Sequence, residues 1–164
     1  MVVTDPAYFS PVPTAGEVNL TSLPPLREYD LVIADPASFV ADAGSGSLVA
    51  LHLPGREFVL DLELVPAPVA EGARAFVKNE SGTFEVAPPR IWFFEGIVAG
   101  EPGSSASFTV GDGVILGTIR CGATSLVIDQ AGTVEVDGEQ KIVHVVYDEQ
   151  DVMPARGLHW FINP

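Results

Sequence analysis

Three histidines, one cysteine and 22 acidic residues are the groups with which this chain could do chemistry. Zinc hydrolysis needs two or three imidazole or carboxylate ligands converging on one ion, most compactly as HExxH on a helix. His52, His144 and His159 lie far apart, and none belongs to such a pair. Each reads as a hydrogen-bonded structural histidine, and His144 falls on the same strand face as Ile142 and Val146. Nucleophilic catalysis would bring Ser or Cys beside a His and an acid, with GxSxG as a local signature. The run Gly103 to Ser107 lacks the second glycine and reads as the start of a strand. Gly111, Asp112 and Gly113 lack the spacing of a phosphate loop and suit a tight hairpin turn. Asp61 and Glu63 share one strand face, and the alternation around them assigns that face to solvent.

Asp148, Glu149 and Asp151 could offer carboxylate oxygens to a hard cation such as calcium, although they lack the ordered loop of an EF-hand. Asn19 and Asn79 each begin a match to the N-glycosylation acceptor pattern, which suits exposed loops in a secreted protein. The lone Cys121 excludes an internal disulfide framework and a zinc site built of cysteines, so stability must come from packing.

A β framework has to position these groups. With 164 residues, 47% of them hydrophobic, the chain is long enough for one sizeable core. Its 16 glycines and 14 prolines punctuate short apolar runs rich in Val, Ile, Phe and Thr. Phe58, Leu60, Leu62 and Leu64 alternate with Val59, Asp61, Glu63 and Val65, the period of a strand buried on one face. Leu48 to Leu53 and a turn at Pro54 and Gly55 complete a hairpin. Further strands are expected at residues 29–34, 73–78, 83–86, 90–99, 105–110, 114–121, 125–129, 133–136 and 141–147, with turns that include Gln130 to Gly132 and Asp137 with Gly138. Asp35 as N-cap and Pro36 at the first helical position predict one short helix over Ala37 to Ala43, ended near Gly44. The expected fold is a single all-β domain, an antiparallel sandwich or barrel of about ten short strands with at most one short helix. Residues 1–28 read as a Pro-rich extended arm and residues 29–152 as the β domain. Residues 153–164 are either a tail that docks back or the start of a linker.

A formal charge of −14, with Lys78 and Lys141 as the two lysines, argues against nucleic-acid and anionic-membrane partners. Such a surface also suits high salt, so the acidity fits a habitat as well as a partner. No apolar run approaches the roughly 18 residues of a membrane span. Met1 to Asp5 lacks the features of a signal peptide, so the signal of an exported protein would lie upstream of this sequence.

Two segments read together resemble the propeptide of reprolysin-type (adamalysin, ADAM-like) zinc metalloproteases. The first runs from Ser47 to Pro66, where a turn with basic Arg56 precedes Phe58 and alternating leucines. After an insertion, the second runs from Phe94 to Gln130, with Phe94, Gly96, Val98, Gly100, Gly113, Gly117, Ile119 and Ile128 as its fold-motif positions. His144 to Tyr147, followed by Asp148 to Val152, is similar to the tract that closes the family's conserved region, so the likeness covers Ser47 to Val152. It implies a secreted, non-catalytic domain that assists folding of a zinc metalloprotease, in cis or in trans, and holds it latent. Zinc is then expected in the partner protease alone, and this chain has no cofactor and no catalytic residue of its own. Family members commonly seat a propeptide thiolate on the catalytic zinc. Here that role could fall to Cys121 alone, and Arg120, Cys121 and Gly122 resemble the cysteine-switch core of matrix metalloproteases. Cys121 shares the parity of Ile119 at a strand end, so a structural cysteine at a hairpin is the simpler reading.

Two rivals come from other classes. An extracellular binding or adhesion β-sandwich for carbohydrate or protein would be favoured by Trp92 or Trp160 on a shallow face. A small hydrolase would need a concave site gathering histidines and carboxylates.

Overall fold

A computed structural model describes residues 7–14 and 16–154. His159, Trp160 and residues 155–164 of the C-terminal segment lie outside the described residues. The strands are β1 (Phe9–Pro11), β2 (Val18–Leu20), β3 (Asp30–Ala34), β4 (Val49–Leu53), β5 (Arg56–Val65), β6 (Ala75–Asn79), β7 (Gly82–Val86), β8 (Trp92–Val98), β9 (Ser105–Gly111), β10 (Val114–Cys121), β11 (Thr124–Val136) and β12 (Glu139–Asp148). Among the described residues the single α-helix is α1 (Pro36–Ala43), and Glu149–Asp151 form a 3-10 turn. The fold is all-β, as its alternation predicts. Asp35 caps α1 by accepting the Ser38 N–H at 3.1 Å, with Pro36 in the first turn, where its missing N–H costs nothing. Among the described residues no helix is long and apolar enough to cross a membrane.

Every strand pair is antiparallel, and one sheet runs β1-β3-β12-β11-β10-β9-β8-β5-β4, with β2 on a second edge of β11. The sheet curls until its two ends share a core: Val49 and Leu51 from β4 cluster with Phe9 of β1 and Val32 of β3. The result is a nearly closed barrel. The helix α1 carries the chain from β3, near one end of the sheet, to β4 at the other. Its Phe39, fully buried, meets the rings of Tyr8, Phe94 and Phe108 at centroid distances of 5.4, 5.9 and 5.1 Å. The Tyr8 hydroxyl donates to Asp42 at 2.7 Å, tying the helix to the chain entering β1. Room for these rings comes from Gly117, where a Cβ would lie 2.5 Å from the Phe108 ring. Leu60 and Leu62 of β5 point inward as their alternation requires, but Leu64, near the end of the strand, is exposed while still paired with Phe94 of β8.

One expectation fails instructively. The turn expected at Gln130 to Gly132 is a β-bulge inside the continuous strand β11. Before it, Leu126 and Ile128 face the barrel interior; after it, Val134 faces outward. The bulge reverses the strand's phase by one residue, which sends every later side chain to the opposite face. Ala131, Val134, Val143 and Val145 then form a second, outer core, covered by Val12, Val18, Leu23 and Leu26 of the N-terminal segment. The Thr21 and Ser22 N–H groups both donate to the Ala131 carbonyl, at 2.9 and 3.1 Å. A Cβ at Gly132 would sit 2.0 Å from the Asn19 carbonyl oxygen, so glycine is what lets β2 approach. The Pro-rich segment therefore supplies two strands and the lid of a core.

Phe39→Ala should cost about 3–5 kcal/mol of unfolding free energy, the range for deleting a buried aromatic ring without collapse of the cavity. Urea unfolding followed by far-UV circular dichroism checks this, and a loss under about 1 kcal/mol would mean that α1 does not seal the barrel.

Candidate functional site

A cleft of about 980 Å³ opens at one mouth of the barrel. The β9–β10 turn forms one wall: Gly113, at φ 73°, reverses the chain in two residues and sets the turn beside Ile142. The first turn of α1 forms another wall, and Trp92, half-buried against the core at the start of β8, lines it as well. Its polar groups are Asp35, Asp112, Lys141, Gln140 and Ser10. Two of these are already engaged: Asp35 holds the Ser38 N–H and hydroxyl, and the Gln140 amide donates to the Thr133 hydroxyl at 3.4 Å. An indole edge, one carboxylate and one ammonium around an open cleft can hold and orient a polar ligand. They do not form a nucleophile–base pair.

His144 lies inside the barrel and is fully buried. The reason is the bulge. β10 pairs with β11 from Gly117 to Cys121, and beyond Gly117 β11 turns away toward β2. The Ile115 N–H is left facing the gap, and His144 Nε2 accepts it at 3.1 Å, so the imidazole replaces a missing strand. With Nε2 accepting, the neutral ring carries its proton on Nδ1, which makes no hydrogen bond of good geometry. Phe9 packs edge-on at 6.4 Å. Burial pushes the imidazole down from 6.5 to about 4, against the opposing pull of the Ile142 carbonyl and the Asp129 carboxylate. The histidine is structural, as its parity with Val146 suggests.

Cys121 lies at the other mouth, half-buried against the barrel core and paired with Thr124 across a turn that uses Gly122 at φ 60°. Near it the three late carboxylates go separate ways. Asp148, 3% exposed, accepts from Arg56 at 3.4 Å and from the Gln150 N–H at 3.2 Å. The Arg56 contact joins the β4–β5 hairpin to the end of β12 and closes the barrel at this mouth. Glu149 accepts from the Ser125 hydroxyl at 2.6 Å and from Arg120 at 3.5 Å, and both hold its carboxyl below the usual range. The Asp151 backbone carbonyl accepts the Arg27 N–H at 2.9 Å. Among the described residues no group of three His, Cys, Asp or Glu side chains is placed to hold a metal.

The motif positions are structural in their placement. Phe94, Val98, Ile119 and Ile128 line the barrel core, and Gly96 lets β5 approach, since a Cβ there would fall 1.8 Å from the Asp61 carbonyl oxygen. Gly100 is in a turn at φ 80°. Asn19 is exposed on β2, and Asn79 is exposed at the β6–β7 turn, where its side chain accepts the Ser81 N–H at 2.9 Å. His52 faces Glu57 across β4 and β5 at 3.8 Å. Sequence reasoning singled out Trp92 but not its neighbours Asp112 and Lys141, which come from separate hairpins and share no local pattern. No family model, curated protein or solved structure matches this chain.

Because the unfolded imidazole binds a proton near pH 6.5 and the folded one near 4, the unfolded state holds more protons between these values. Stability contributed by neutral His144 is therefore full above pH 6.5 and declines as pH falls toward 4, by about 3 kcal/mol in all. His144→Gln keeps an acceptor for Ile115 and removes the titration. Urea unfolding at pH 7 and pH 4 should show the wild type losing more stability than this variant; equal losses would remove the assignment.

Proposed function

We propose that this chain is a secreted, non-catalytic, propeptide-like domain that assists folding of a zinc metalloprotease and maintains its latency. The observation that carries the reading is the placement of the two resembling segments. Ser47 to Pro66 supplies β4 and β5, and Phe94 to Gln130 supplies most of β8, all of β9 and β10, and the first half of β11. These strands are consecutive neighbours in the sheet, with β5 bonded directly to β8 from Leu60 with Val98 to Val65 with Phe93. The insertion that the resemblance requires is the part left out of the barrel, as the separate β6–β7 ribbon. An inserted segment that leaves the pairing of its flanks intact supports a common framework on either side of it. In this reading the acidic barrel surface meets the protease, and Cys121, at an accessible turn, is the one thiol that can approach its zinc.

Peptide cleavage by the zinc metalloprotease domain encoded downstream of, or nearest to, this segment should fall in a dose-dependent way when the chain is added. Loss of that inhibition in Cys121→Ser, with an unchanged melting curve, assigns the thiol to the zinc. Inhibition that survives the substitution places latency in surface contacts. Absence of both binding and inhibition at about 10 micromolar overturns the proposal.

A second reading, an extracellular module binding carbohydrate, is favoured by Trp92 in the cleft. It expects a neutral oligosaccharide to bind the wild type and not Trp92→Ala by calorimetry, and no binding to the wild type would discard it.

A further inference from the structure

The β6–β7 ribbon pairs with no third strand among the described residues, and a lone two-stranded ribbon is marginal in water. Its two faces differ. On one, Phe76 and Glu85 are opposite each other, and the Arg74 guanidinium lies 5.3 Å over the Phe76 ring while it forms a two-pronged ion pair with Glu85. That face mixes an ion pair with one aromatic ring, Phe76, which is 56% exposed. The other places Ala75 opposite Val86 and Val77 opposite Phe84. This face carries an apolar cluster without an ion pair: Val77 is 50%, Phe84 49% and Val86 39% exposed.

Charge says what can cover it. In residues 66–91, Arg74, Lys78 and Arg90 offset Glu71, Glu80 and Glu85, so the inserted segment is neutral and the chain's −14 resides elsewhere. A basic partner drawn to this protein would be steered to the acidic surface, away from the ribbon. Two copies of the chain, each at −14, meet with least repulsion through the neutral segment. A bare apolar face there is also self-complementary under a twofold rotation, which is what a symmetric dimer requires.

We propose that the open face of the β6–β7 ribbon, carrying Val77, Phe84 and Val86, docks on the same face of a second copy to form a twofold dimer. This goes beyond the propeptide-like reading and does not depend on it.

Sedimentation velocity on the full chain over a concentration series reaching about 100 micromolar should show a reversible species of twice the 17.3 kDa chain mass. Raising the salt should strengthen it, because screening weakens the residual repulsion and leaves the apolar contact in place. Phe84→Asp should give a monomer with the barrel's melting curve unchanged. Thr83→Asp puts the same charge on the opposite face and should keep the dimer. A wild type that stays monomeric throughout, or a dimer that survives Phe84→Asp, overturns the proposal, as does loss of the dimer in both variants.

Discussion

One extra residue in β11 determines how the molecule is put together. The bulge between Gln130 and Gly132 is where the strand stops serving the barrel interior and begins to serve the outer core. Three features follow from it. β10 loses its partner beyond Gly117, so an imidazole from β12 has to take the Ile115 N–H. The second half of β11 gains an open edge, which β2 fills. Val134 turns outward to join Val143 and Val145 in an apolar surface that the N-terminal segment helps to cover. Removing the extra residue would turn Val134 back toward the barrel interior, because side-chain direction in a strand has a period of two.

The same feature marks the limit of what the sequence discloses. Regular alternation made β4 and β5 readable, and Asp35 with Pro36 made the start of α1 readable, because each depends on residues a few positions apart. Asp137 and Gly138, both at positive φ, form the tight turn their types suggest. At Ala131 and Gly132 an interrupted alternation and a glycine signal either a turn or a bulge, and the choice depends on where β10 ends and on the approach of Asn19. The Pro-rich segment shows no period because its strands are three residues long and its packing partners lie far along the chain. In the cleft, the types of Trp92, Asp112 and Lys141 are visible in the sequence, but their convergence is a product of the barrel's curvature.

Charge and packing are divided unevenly between the barrel and its insertion. Barrel stability rests on apolar residues of the inner face, with Phe39 filling space that the strands alone leave open. Among the described residues its most buried ion pair, Arg56 with Asp148, holds together two distant segments at the mouth near Cys121. An uncompensated buried carboxylate is costly, so this pair fixes which ends meet more than it adds to net stability. The insertion has the opposite character: neutral, apolar on one side, and set in the chain between β5 and β8.

The placement of β2 also has a consequence for synthesis. A ribosome delivers Val18 to Leu20 long before Gly132 to Val134, the strand segment with which β2 pairs. The prolines around β2 keep the waiting segment extended and poor in backbone donors, which discourages wrong pairing in the interval. β2 is thus made early and seated late, and the outer core cannot close until β11 and β12 have left the exit tunnel.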